Sequence, residues 1–286
     1  MQAHLVIVGT SVLRNALQRA QRGAHDGCSW PGDRCLELLA SCADPRRLDR
    51  GKCAELRRDS RCWSYVECLV KSDPYGMSAE LNAMEWVLGS GCAGVGRIVL
   101  YASDTLEGRY AAEILRGFLT GKCRGAEVSE RMVSGLGTDF WRGLINIVEA
   151  ITSDVKELAR EGYTVYLNAT GGFKPEAGIA LLAASLAGPI AAYYKHESMR
   201  EAVMLPLIPL NVDKGRVLAI VAKLEYLAHH KPKIRLDDPQ LVEVQWILYF
   251  LAQSGALESL GEGYYKVTDC AAEILTLVSK LYLGML

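Results

Sequence analysis

Three apolar runs constrain this chain most: HLVIVG (residues 4–9), RIVLYAS (97–103) and YTVYL (163–167). Each breaks off into small polar residues, Gly-Thr-Ser, Ser-Asp-Thr or Asn-Ala-Thr-Gly-Gly, and a helical pattern follows. A strand that is apolar along its length has both faces covered, and alternation of such strands with helices implies a parallel sheet between helical layers. The expected fold is therefore α/β, a Rossmann-like, mostly parallel sheet. Ligands bind such sheets beyond the carboxyl ends of the strands, so the three polar junctions are expected on one edge.

The remaining elements fit around this frame. Helices are expected over 12–23, 49–70, 78–89, 106–119 and 139–162, and from the glycine loop to about 186. Further strands are expected over 126–133, 190–197 and 201–210, whereas 24–48 reads as loop-rich around Pro31 and Pro45. Pro206 and Pro209 mark a boundary. Residues 1–210 form one domain, with a helical insertion at about 25–90, and 215–286 form another. The second reads as helices over 215–229 and 239–254, a hairpin over 256–268 turning at Gly261-Glu262-Gly263, and a final helix. That order is winged-helix-like.

Charge limits the partners. The net charge is −1 and the pI about 6.5, wrong for a protein that grips long nucleic acid through its phosphates. Residues 215–286 hold seven basic and eight acidic residues, so DNA is not an expected partner and dimerisation or scaffolding is the favoured role. With no signal-peptide pattern and no long apolar run, a soluble cytoplasmic protein without membrane attachment is expected.

Six of the nine cysteines lie between Cys28 and Cys68. There is no CxxC and no Cys–His cluster, so no metal is expected there. Scarce Asn and Gln hint at a heat-adapted source, in which intracellular disulfides occur. One or two disulfides near 28–68, or buried free thiols, both fit.

The stretch TGGFK (170–174) is the strongest chemical signal. Gly171 and Gly172 allow close approach of backbone to a ligand, and the following helix presents a positive end. Lys174 adds a cation in the first turn, unfavourable for the helix unless an anion sits there. This is neither a Walker A loop nor GxGxxG. Ser11 in Gly9-Thr10-Ser11 reads as an N-cap that also faces the edge, and Asp104 or Thr105 in Ser103-Asp104-Thr105 has the same two readings. Among the histidines, His196-Glu197 could reach the rim of the site. Arg19 and His25 match the spacing of HEPN ribonucleases, Arg then four to six residues then His, a match we take as coincidence. No paired carboxylates or metal-ligating set appears, and no cofactor is expected.

Segments 8–15 (VGTSVLRN), 100–115, 135–150, 167–180 (LNATGGFKPEAGIA) and 193–210 resemble the CRISPR-associated CARF proteins, most closely an archaeal branch of stand-alone ring nucleases. The resemblance covers most of 1–210. It implies a homodimer that holds a cyclic oligoadenylate, above all cyclic tetra-adenylate, across its two-fold axis. It also implies metal-independent cleavage to linear di-adenylate with a 2′,3′-cyclic phosphate, which switches off type III CRISPR signalling. Ser11 and Lys174 fall on the family's activity-linked positions. Gly9, Thr10, Asn15, Ser103, Asp104, Thr105, Asn168, Thr170, Gly171, Gly172 and Phe173 are the expected ligand contacts. A non-cleaving sensor or regulator acting through 215–286 is the alternative. A nucleotide-handling Rossmann enzyme unrelated to CRISPR is a third reading.

Overall fold

A computed structural model describes residues 1–44, 48–172, 174–188, 191–196, 198–206 and 213–284. Its centre is a six-stranded sheet of β1 (Gln2–Ile7), β2 (Val95–Ser103), β3 (Glu127–Val133), β4 (Thr164–Asn168), β5 (Ala191–Tyr194) and β6 (Val203–Pro206). The spatial order is β3-β2-β1-β4-β5-β6. The first five strands are parallel, and β6 runs antiparallel at the edge. This is the expected Rossmann-like sheet. The end of the expected last strand, residues 207–210, lies outside the described residues.

Strand periodicity divides two cores. Ala3, Leu5 and Ile7 of β1 face α9 (Phe140–Arg160) and α10 (Lys174–Ala187). Val6 and Val8 point to the other face, against α1 (Ser11–Arg22), α8 (Leu106–Lys122) and the helices of the insertion. His4 lies on that second face, fully buried among Trp86, Tyr166 and Tyr193. Burial without an anionic partner pushes its imidazole down to about 4, because the charged form cannot be solvated there.

The insertion is more helical than the sequence pattern implies. Residues 24–48, read as loop, contain α2 (Asp33–Ala43). The helix expected over 49–70 is two, α3 (Arg50–Arg58) and α4 (Ser60–Ser72), broken at Asp59, which caps α4 through Arg61 N and Cys62 N at 2.9 and 3.0 Å. Short helices follow: α5 (Pro74–Met77), α6 (Ala79–Ala83) and α7 (Glu85–Gly89). Cysteine supplies the missing order. Cys28 pairs with Cys68, Cys35 with Cys62 and Cys42 with Cys53, three nested bridges, and Cys92 pairs with Cys123. The expectation of one or two bridges near 28–68, or of free thiols, is corrected to three pairs there, with a fourth outside it. A seven-residue spacing sets Cys35 and Cys42 on one face of α2, opposite their partners.

Residues beyond the sheet form α11 (Lys214–His230), a 3₁₀ turn (Pro239–Val244), α12 (Gln245–Gln253) and α13 (Asp269–Gly284) around a three-stranded antiparallel sheet. Its order is β7 (Lys233–Arg235), β9 (Tyr264–Val267), β8 (Leu257–Gly261). The single helix expected over 239–254 thus begins as a 3₁₀ turn. Helix α13 returns to the large sheet: Leu277 and Leu281 join the core under α9 and α10, and Lys280 pairs with Glu149 at 2.6 Å. No described helix is long and apolar enough to cross a membrane.

Candidate functional site

The strand order makes β1 the turning point. The chain moves outward from β1 to β2 and β3, then resumes on the other side with β4 and β5. The crevice of a doubly wound sheet opens at the carboxyl ends of such strands, here β1 and β4. Gly9-Thr10-Ser11 follows β1 and Asn168–Lys174 follows β4, so the two signals separated by more than 150 residues of chain meet at one place.

The contact is tight. A Cβ on Gly9 would lie 2.9 Å from Gly172 N and 3.3 Å from Glu80 Oε1. On Gly171 it would collide with Ile7 O and Glu80 Oε1. Gly172 has φ +78°, which a side chain would strain. The two glycines thus serve close backbone packing between the loops as well as the approach to a ligand that the sequence suggests. Phe173 lies outside the described residues.

Glu80 joins the loops. Its side chain is 1% exposed. Oε1 accepts from Gly9 N at 2.7 Å, and Oε2 accepts from Ser11 Oγ at 3.2 Å and Ser78 Oγ at 2.6 Å. Asn168 Nδ2 donates to the Glu80 carbonyl at 3.0 Å, and Asn168 Oδ1 accepts from Thr170 N at 3.1 Å. A buried carboxylate surrounded by donors is satisfied without a cation. The reading of Ser11 as a helix cap is corrected. Ser11 is the first residue of α1, Thr10 occupies the cap position, and no side chain caps the helix. The Ser11 hydroxyl instead donates to Glu80 and accepts from Ala79 N at 3.3 Å.

Other expected contacts have structural duties. Asn15 Nδ2 donates to the carbonyls of Gly76 and Met77, both at 3.1 Å. Thr105 Oγ1 caps α8 through Gly108 N at 3.1 Å and bonds Ser103 Oγ at 2.8 Å. The Asp104 carbonyl accepts from Arg109 Nε at 3.1 Å. Ser103, Asp104 and Thr105 sit at the carboxyl edge, one strand out from the crevice. Thr170 Oγ1 accepts from Lys195 N at 3.2 Å. Lys174 stands exposed in the first turn of α10 and forms no ion pair among the described residues.

Sequence reasoning missed Glu80, Glu176 and Lys195. Glu176 is buried in the first turn of α10, and its Oε1 accepts from Gly137 N at 3.0 Å, which ties the loop after β3 to the glycine loop. Lys195, also buried, pairs with Glu85 at 2.6 Å. Glu80 and Glu176 each occupy a helix's first turn, where an acid is commonplace, so nothing in the sequence sets them apart. A cavity of about 230 Å³ is lined by Gly137, Thr138, Phe140, Pro175 and Glu176.

The histidines lie elsewhere. His25 bonds Tyr65 Oη at 2.9 Å, and Arg19 pairs with Asp26 and Asp73, so the Arg19–His25 spacing serves packing. His196 is exposed beyond β5 and bonds Ser198 Oγ at 2.9 Å, while Glu197 lies outside the described residues. Among the described residues no three metal-ligating side chains converge.

Comparison with known proteins places one stretch. Residues 75–208 match a family model described as CRISPR-associated protein (Cas_APE2256). The matched stretch holds Glu80, the glycine loop and Lys174 but begins after Ser11. Among solved structures, Can2 from Sulfobacillus thermosulfidooxidans in complex with cyclic tetra-adenylate is similar at 12% identity and a TM-score of 0.32. That alignment covers 96% of this chain, which spans 64% of the other.

Proposed function

We propose that this protein binds cyclic tetra-adenylate across the two-fold axis of a homodimer and cleaves it to linear di-adenylate, ending a CRISPR second-messenger signal. The observation that carries the reading is the meeting of Ser11 and the loop bearing Lys174 at the β1/β4 crevice, linked by Glu80. The match of 75–208 to a CRISPR-associated family supports the biological setting. Residues 1–210 act as the ligand-binding domain, and 215–286 as a winged-helix-like scaffold whose charge does not suit DNA.

The chemistry needs no outside nucleophile. A ribose 2′-OH attacks its own 3′-phosphate and gives up its proton, the bond from phosphorus to the next 5′-oxygen breaks, that oxygen takes up a proton and leaves as a 5′-hydroxyl, and a 2′,3′-cyclic phosphate remains. The protein holds attacking and leaving oxygens in line and stabilises charge on the phosphoryl oxygens. Lys174 and the positive end of α10 serve the second task. Ser11 serves the first by positioning the phosphate or the 2′-OH, and its hydrogen bonds support the 2′-OH. A hydroxyl has one proton and two lone pairs. The proton goes to Glu80 and one lone pair to Ala79 N–H, so the pair that remains accepts a donor. The ribose 2′-OH is such a donor, and a phosphate oxygen is not.

A non-cleaving sensor is the second reading. One observation favours it: a serine already held by Glu80 on one side and Ala79 on the other is what a purely structural role would show. Incubation with radiolabelled cyclic tetra-adenylate in EDTA separates the two. Wild type is expected to release di-adenylate, and Lys174→Ala to slow release at least about 100-fold, the usual cost of one charge-stabilising donor. Tight binding of a ring that stays intact for hours would leave the sensor.

A further inference from the structure

The helix α12, QWILYFLAQ, carries no charged residue. Ile247, Leu248 and Leu251 point into the core beneath it. A helix that is hydrophobic all round belongs in an interior, yet the opposite face of α12 is open. Val242, Trp246, Tyr249 and Phe250 recur at helical spacing along the 3₁₀ turn and α12, each 45–59% exposed. Leu218 and Tyr226 stand out in the same way on the solvent face of α11, at 53% and 54%. Ala219 and Ala222 lie between them on that face, beside Glu225, which accepts from Ser279 Oγ. Both helices pack on one core through Leu224 and Leu248, and an ion pair from Lys223 to Glu243 draws α11 against the 3₁₀ turn.

We propose that this α11–α12 face is an interface between two copies of the chain. It deepens the reading above, which already requires two copies, by naming a surface that holds them together. Aromatic side chains bury 150–250 Å² each. Half-exposed, these six residues offer about 600 Å² per protomer before their neighbours are counted, against the roughly 800 Å² per partner of a stable interface. A patch of this size stands at the top of the range for the largest apolar patch on a monomer, and such patches are often functional. The lack of charge over residues 244–257, which carry its aromatic anchors Trp246, Tyr249 and Phe250, decides the occupant. A nucleic acid would require lysines and arginines, and a membrane surface would require a basic flank. A second copy brings the same uncharged aromatic patch, and a two-fold axis closes the contact without leaving a face open.

Sedimentation velocity of the full chain without nucleotide, from about 1 to 100 μM, tests this. Wild type is expected to sediment as a dimer. The double variant Trp246→Glu/Phe250→Glu replaces two half-exposed side chains and is expected to weaken association at least about 100-fold, as loss of two aromatic anchors does. A second double variant, Val203→Glu/Met204→Glu, alters an exposed apolar pair elsewhere, on edge strand β6, and is expected to stay dimeric. Circular dichroism checks that both variants are folded. A monomeric wild type, or dimers that survive Trp246→Glu/Phe250→Glu, would overturn the proposal. Since no nucleotide is used, a wild-type dimer that is lost in Trp246→Glu/Phe250→Glu yet fails to bind cyclic tetra-adenylate would sink the ligand reading and uphold this interface.

Discussion

Two strand-to-helix junctions at the same sheet edge, alike in sequence, are wired differently. At the end of β2, Thr105 turns back on its own helix, bonding Gly108 N three residues on. At the end of β1, Ser11 ignores its helix and bonds Glu80, 69 residues away. Thr105 stabilises α8 alone. Ser11 joins two segments of the fold. A small hydroxyl residue after a strand can therefore be a local cap or a tertiary link, and only the second kind ties the site to the body of the protein.

Removing the carboxylate that makes the difference should have the largest effect. Glu80→Ala strips the acceptor from Gly9 N, Ser11 Oγ and Ser78 Oγ, and a buried donor left without a partner costs about 1–3 kcal/mol. The expected loss is at least about 3 kcal/mol in urea unfolding. Glu80→Gln keeps the volume but turns an amide N–H toward donors, so it should fold and lose cleavage. If Glu80→Ala costs no more than a cap, Ser11 is not a tertiary link and the comparison fails.

Strand β1 carries a second test in His4. Its imidazole titrates near 4 when folded and at its ordinary 6.5 when unfolded. Between these values the unfolded chain binds a proton that the folded chain does not, so stability rises with pH across this window. His4 should contribute a loss of about 2 kcal/mol between pH 7 and pH 5, and His4→Phe should flatten that part of the profile. An unchanged profile in the variant would mean that other groups govern acid sensitivity.

The smallest effect belongs to the local cap. Thr105→Ala should cost about 1 kcal/mol and leave cleavage of cyclic tetra-adenylate unchanged, whereas Ser11→Ala should impair cleavage. Equal effects on turnover from the two hydroxyls would erase the distinction between the junctions.

Much of this was legible in the residues. Apolar runs marked β1, β2 and β4, and their polar ends marked one edge, because strand burial and turn chemistry act within a few residues. Helix α2 was hidden by the prolines around it. Its stability comes from the layer it packs in and from Cys35 and Cys42, neither of which is a local propensity. Glu80 and Glu176 were hidden for a related reason. An acid in a first turn satisfies the helix dipole whether or not it is buried under a loop.

By itself, then, the sequence determined the order of strands and helices, the edge where polar junctions collect, and the glycines that let a backbone pass close. Those follow from periodicity and from the conformational freedom of single residues. Tertiary structure alone decided that Ser11 answers to Glu80, that the glycine loop rests on Ile7, and that six cysteines nest as 28–68, 35–62 and 42–53. These partners stand 11 to 164 residues apart in the chain. No local preference can select a partner at such a distance, and the crossing of β1 between β2 and β4 can.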